Sequence, residues 1–149
     1  MQVKGITIHN TGNDKTASEI YEELKSEMRT NICHYLVDEK ETINNFPVDM
    51  EAWHTGRGYD FGNRYTIAIE ICRSTCEDEI YFSAQDRAVE LIRSLMKKYR
   101  LTENDIYFHN DFNNIKCPHR ILEAYETKRR FIDECIIQSR KRTDFGSKR

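Results

Sequence analysis

Three residues of this sequence have the donor types of a catalytic metal centre: His9, His109 and Cys117. Each histidine closes a short β-type run, His9 after Ile6-Thr7-Ile8 and His109 after Ile106-Tyr107-Phe108. In open α/β sheets functional groups collect just beyond strand ends, where a neutral imidazole can ligate a metal. Cys117 follows His109 by eight residues, through a polar loop long enough to return a thiolate to the same point. Two imidazoles and a thiolate leave a fourth tetrahedral position open for water, which is the composition of a catalytic zinc site. Glu70 adds an acid-base group, as the one carboxylate in the otherwise uncharged run YTIAIEIC, residues 65–72. A carboxylate buried there has to be paired, protonated or functional, because burying an isolated charge costs on the order of several kcal/mol. A salt bridge to Arg64 or Arg73 competes with a proton-transfer role, and spacing leaves both open.

The elements that must position these groups follow from periodicity. Residues 3–9 alternate, with Ile6 and Ile8 on one face, and end in the turn signal His-Asn-Thr-Gly-Asn. Thr16-Ala17-Ser18-Glu19 has capping-box spacing and opens a helix over about residues 16–29, through Ala17, Ile20, Tyr21, Leu24 and Met28. Residues 32–38 and 41–46 predict a hairpin around Glu39-Lys40. The loop over 47–64, rich in glycine and aromatics and carrying Trp53-His54, is long for a compact domain and so reads as functional. Residues 65–72 predict a central strand, with Ile67, Ile69 and Ile71 facing one way. An amphipathic helix over 83–100, a short strand over 106–109 and a last helix from Ile121 to about Ser139 complete the order. The expectation is an α/β fold: a single domain with a mixed central β-sheet flanked by helices.

Composition narrows the function. A length of 149 residues fits one core, and 38% hydrophobic residues exclude a disordered chain. The sequence has no apolar run of about eighteen residues and opens without an apolar secretory segment, so neither a membrane span nor an export signal is expected. Net charge is −2, yet the last ten residues carry five basic groups and one acid, leaving −6 on residues 1–139. A mildly acidic body argues against a nucleic-acid partner, and residues 140–149 are expected to be a poorly ordered basic tail beyond a catalytic domain of residues 1–139. Five cysteines without paired spacing exclude a disulfide framework, and Cys72 and Cys135 fall at apolar positions as core thiols. A zinc nucleobase deaminase is excluded because its H-x-E and P-C-x-x-C pattern is absent. A structural zinc or thiol protein would have no use for Glu70, since closed zinc sites take four protein ligands.

Five segments, ITIHNTGN (6–13), ICHYLVDEKETINNFP (32–47), AWHTGRG (52–58), YTIAIEIC (65–72) and FHNDFNNIKCPHRIL (108–122), occur in an order and at intervals that resemble a known family. They are similar to the zinc-dependent N-acetylmuramoyl-L-alanine amidases of the type-2 amidase and peptidoglycan-recognition-protein superfamily, especially catalytic domains of phage and prophage endolysins of Gram-positive bacteria. The likeness spans about residues 3–137. It implies one zinc ion per chain on His9, His109 and Cys117, with Glu70 as the acid-base residue. The implied reaction is hydrolysis of the amide between N-acetylmuramic acid and L-alanine in peptidoglycan, the expected partner. No nucleic-acid or membrane-inserting role is implied. His54 resembles a residue lining the substrate groove, with a structural hydrogen bond as the competing expectation, and Lys116 is a second candidate for substrate binding. His34 and His119 are expected to be scaffold.

The sequence departs from that family at two positions. Many members carry Tyr where Cys33 stands, so Glu70 must carry the reaction here. Many also carry Lys where Ile115 stands, whereas Lys116 comes one residue later. The likeness further implies an enzyme held in the cytoplasm until a membrane pore releases it to the wall. A non-catalytic peptidoglycan-binding module of the same fold is the alternative, against which the full ligand set speaks.

Overall fold

Ile67, Ile69 and Ile71 alternate with Ala68 and Cys72, and both sets are fully buried. A strand apolar on both faces needs a layer on each side. The computed structural model of the chain, which describes residues 1–137, supplies both. The strands are β1 (Gly5–Asn10), β2 (Tyr35–Val37), β3 (Thr42–Asn44), β4 (Thr66–Ile71) and β5 (Ile106–Phe108), in spatial order β3-β2-β4-β1-β5. β4 is therefore the middle strand, as its sequence implies. β1 pairs in parallel with β4 and β5, β2 pairs in parallel with β4, and only the β2–β3 hairpin is antiparallel.

Helix α1 (Ala17–Ser26) covers one face. Its Thr16 side chain accepts from the Glu19 N–H while Glu19 reaches back to the Thr16 N–H, the reciprocal box that the sequence announces. Ala17, Ile20 and Leu24 pack there on Cys33, Leu36, Ala68 and Cys72. The buried Asp38 carboxylate accepts from the Ala17, Lys40 and Glu41 N–H groups, which fastens the hairpin turn to the start of α1. The short helix α2 (Phe61–Tyr65) leads into β4, and helix α3 (Asp78–Tyr99) covers the opposite face with the larger core. Short helices α4 (Asn110–Asn113), α5 (His119–Tyr125) and α6 (Lys128–Phe131) follow β5, and a π-helical stretch spans Ile132–Ile137.

Several boundaries differ from expectation for identifiable reasons. α3 begins at Asp78, five residues before the expected start, because Asp78 and Glu79 suit the positive end of the helix dipole and Tyr81 adds a buried anchor. The last expected helix is instead α5, α6 and the π-helical stretch: Glu126 takes φ 64°, and the Thr127 side chain caps a new start by accepting from Arg130 N–H. Apolar spacing runs across that break through Leu122, Tyr125, Phe131 and Ile136, which hides it from periodicity. Residues 30–32 form a 3₁₀ turn, leaving β2 shorter than expected. Cys135 is only half buried and donates its S–H to Tyr125 Oη, 3.1 Å away. The expected end of the last helix near Ser139 and the expected basic tail both lie outside the described residues. Within those residues no helix is long and apolar enough to cross a membrane.

One close approach ties this scaffold to the site. A Cβ at Gly62 would collide with Thr55 Cγ2 and stand 3.0 Å from Phe112 Cζ. Gly62→Ala is expected to cost about 1–3 kcal/mol of stability through overpacking, read as a lower urea midpoint at unchanged slope.

Candidate metal centre

Strand register builds the centre. Paired residues of parallel neighbours share a face, and His9 lies opposite Glu70 in the β1–β4 ladder, with His9 Nδ1 4.0 Å from Glu70 Oε1. On the other side of β1, Ile8 pairs with Phe108, and the His109 N–H donates to Ile8 O at 3.3 Å. The chain leaves β5 there, so the His109 ring comes to 4.7 Å from that of His9, centroid to centroid. Asn114, at φ 61°, turns the chain back after α4, and the Asn110 N–H donates to Cys117 O at 3.0 Å. Cys117 Sγ thereby reaches 3.9 Å from His9 Nδ1 and accepts the Asn10 N–H at 3.4 Å.

One donor atom from each of His9, His109 and Cys117 lies within 4.8 Å of the others. Zinc bonds of about 2.0–2.3 Å at a tetrahedral angle would separate neighbouring donors by roughly 3.6 Å, so a small contraction fits the set to the ion. Their electrostatics agree. Burial lowers the pKa of His9 and, less strongly, of His109, which favours neutral imidazoles. Burial also pushes the Cys117 thiol up to about 12, so its thiolate requires a cation alongside.

Glu70 is raised to about 7 by burial, and its Oε2 is buried with no hydrogen-bond partner. Neither competing arginine takes it up: Arg64 pairs with Glu51 at 3.5 Å and Arg73 with Glu39 at 3.3 Å.

His54 is 7% exposed and turned toward His9. Its Nε2 lies 3.2 Å from Gly62 O, which can only accept, so Nε2 carries the proton and Nδ1 must accept from His9 Nε2 at 3.0 Å. That relay leaves His9 Nδ1 with a free lone pair on the side of Cys117 and Glu70. Burial depresses His54 to about 3, which keeps it neutral. Asn63 holds its backbone, with Oδ1 accepting from the N–H groups of His54 and Thr55 at 2.7 and 3.0 Å. His54 thus makes the internal hydrogen bond and also lines the cleft beside His9 and Glu70. Lys116 is exposed at the rim of the cleft, its Nζ 2.9 Å from Glu123 Oε1. His34 is scaffold as expected, accepting from Ala68 N–H at 2.9 Å and donating to Met50 O at 3.0 Å. His119, also expected to be scaffold, begins α5 and lines the cleft, whose volume is about 440 Å³.

Asn63 and two further asparagines were not evident from the sequence. Asn10 joins the ligand elements: its Oδ1 accepts from Arg120 N–H at 3.0 Å and its Nδ2 donates to Tyr81 Oη at 3.1 Å. Asn113 Nδ2 stands 2.7 Å from Thr55 O and 2.8 Å from His109 Nε2. The only signal was adjacency, Asn10 directly after His9 and Asn113 one turn after His109.

Comparison with known proteins gives the family. Residues 1–120 match the N-acetylmuramoyl-L-alanine amidase family Amidase_2. The chain belongs to that family. It is 37% identical over 123 residues to the N-acetylmuramoyl-L-alanine amidase CwlA of Bacillus subtilis (strain 168), covering 82% of this chain and 45% of CwlA. It is 35% identical to the amidase XlyB of the same organism, covering 82% of this chain and 39% of XlyB. The chain thus spans less than half the length of these two relatives. Among solved structures, PlyL superposes with a TM-score of 0.79 at 34% identity, covering 83% of this chain and 78% of PlyL. The PlyG catalytic domain gives 0.82 at 32% identity, covering 92% and 84%.

Asn10→Ala is expected to leave the Arg120 N–H and the Tyr81 hydroxyl without their partner, costing about 1–3 kcal/mol. Urea unfolding of chelator-treated protein checks this without a contribution from bound metal.

Proposed function

We propose that this chain is a zinc-dependent amidase that cleaves the bond between N-acetylmuramic acid and L-alanine in peptidoglycan. The observation that carries the proposal is the meeting of His9, His109 and Cys117 with Glu70, whose Oε2 is buried without a hydrogen-bond partner, in one open cleft. The names of the relatives CwlA and XlyB support the same bond.

An amide is a poor electrophile with a poor leaving group. When bound, zinc supplies Lewis acidity toward the carbonyl and toward a water, whose pKa falls to about 7. Glu70 would accept a proton from the attacking water and return it to the departing alanine nitrogen, and its raised pKa suits it to both roles. His9, His109 and Cys117 hold the ion, and His54 orients His9 by accepting its Nε2–H. Lys116, exposed at the cleft beside Glu123, is the second residue placed to meet substrate. The likeness to the endolysin LysK of Staphylococcus phage K, at 27% identity, supports the cell wall as the place of action.

The purified protein is expected to hold one zinc per chain by elemental analysis, and His9→Ala, His109→Ala and Cys117→Ser are each expected to lose most of it on dialysis. Zinc retained at one per chain in all three variants would exclude this centre.

Glu70→Gln is expected to keep zinc content and melting temperature near wild type while turnover falls about a hundred- to ten-thousandfold. Digestion of wall by the wild-type protein should release alanine amino groups without new sugar reducing ends. A folded, zinc-loaded Glu70→Gln protein at wild-type rate would sink the mechanism, and reducing ends without amines would name a different bond.

A further inference from the structure

Along residues 52–54 burial alternates sharply. Ala52 is fully buried and His54 is turned inward to His9, while Trp53 between them is 44% exposed. The backbone there is fixed: the Trp53 N–H donates to Asn31 O at 2.8 Å, and Asn63 holds the two N–H groups that follow. Positive φ at Gly56 and Gly58 turns the loop back, and Asn63 Nδ2 donates to Gly58 O at 2.6 Å. Tyr59 is thereby delivered to Trp53, with ring centroids 5.2 Å apart at 69°. Tyr59 itself is 75% exposed, so it serves as a buttress for the indole while remaining open to solvent. Trp53 lines the same cleft as His9, Glu70, His109 and Cys117. A rigidly presented aromatic pair at the mouth of a polar cleft has the character of a recognition surface, since large rings left in water on a fixed loop gain nothing for folding.

We propose that the Trp53–Tyr59 pair is a saccharide platform that stacks a pyranose ring of the glycan strand on the side of the scissile bond away from the stem peptide. This rests on the amidase reading above. The muramyl ring reaches the scissile carbonyl through a single lactyl ether arm, so a surface that holds it must lie in the cleft that holds the candidate ligands, as Trp53 does. A pyranose presents an apolar C–H face that matches one indole face, whereas the stem peptide is rich in carboxylates and offers no such surface. The pair is also too small to hold a second copy of the chain, because stable association buries about 800 Å² per partner.

Trp53 is the only tryptophan of the chain, so its emission reads the platform alone. The test titrates the whole protein with peptide-free glycan strands, which contain no scissile amide and whose binding does not depend on zinc or on turnover. A saturable change in emission, equal with and without chelator, is expected. In wall digestion, Trp53→Ala should raise KM about tenfold with kcat within about twofold and zinc content unchanged. Trp53→Phe should restore most of the loss, and Tyr59→Ala should give a smaller rise. An emission unmoved by glycan strands, or a Trp53→Ala protein with wild-type KM, overturns the platform. So does an emission change that follows protein concentration or added phospholipid vesicles in place of glycan. Failure of the platform leaves alanine release intact, and failure of the amidase reading leaves the glycan titration unaffected, so the two are distinguishable.

Discussion

The register between β1 and β4 is the constraint on which the centre depends. Parallel pairing places His9 against Glu70 and, one strand over, sets the end of β5 beside Ile8, so that His109 enters from the opposite side. A slip of one residue would turn His9 into the isoleucine core and bring Ile8 to the cleft. Burial makes that slip costly, because Ile6 and Ile8 pack with Ile67, Ile69 and Ile71 against α3 on one face only. The hydrophobic pattern that stabilises the sheet is thus also what aims His9 and Glu70 at the cleft. The ligands gather at the carboxyl ends of β1 and β5, and Glu70 stands near that of β4, where the chain turns outward and a cleft can open without breaking ladder hydrogen bonds.

Around this frame, neutral polar side chains fix what the strands cannot. Asn10 spans from β1 to α3 and α5, and so joins the strand of the first ligand to the helix that follows the third. Asn63 holds the His54 segment, and Asn113 bridges that segment to the His109 turn. None of these groups carries charge, so none forms an ion pair with Glu70. Their value lies in satisfying buried backbone groups that an open cleft would otherwise leave without partners.

The cluster of His9, His109 and Cys117 beside Glu70 was legible in the sequence because the residue types are scarce, the histidines close strands of clear alternation, Glu70 is the one carboxylate on its strand, and Cys117 follows His109 through a short polar loop. The capping box at Thr16 and the hairpin at Glu39-Lys40 were legible because their signals are local. What was hidden depends on distant partners or on backbone states that composition does not reveal. The Glu126 break uses a left-handed conformation in a residue with no preference for it, inside uninterrupted apolar spacing. An asparagine looks alike in a loop and in a buried network, so Asn10 and Asn63 became readable only with Tyr81, Arg120 and Thr55 in place. His54 shows the same limit, since its role follows from the direction of one ring nitrogen toward Gly62 O.

Charge balance explains why this set suits a dication. Without metal, burial moves every group of the centre toward neutrality: the imidazoles fall, while the Cys117 thiol and the Glu70 carboxyl rise. Such a pocket holds no net charge and tolerates its own desolvation. Entry of a doubly charged cation reverses this, because a thiolate and a carboxylate then cancel its charge without any further ion. A third histidine in place of Cys117 would leave a loaded centre positive by one unit, and a carboxylate there would be a harder ligand, less selective for zinc. The thiol also accepts a backbone N–H from Asn10, the residue next to the first ligand, so the loop carrying Cys117 is already seated against β1. The ion then has only to draw together groups that the fold has brought within 4.8 Å.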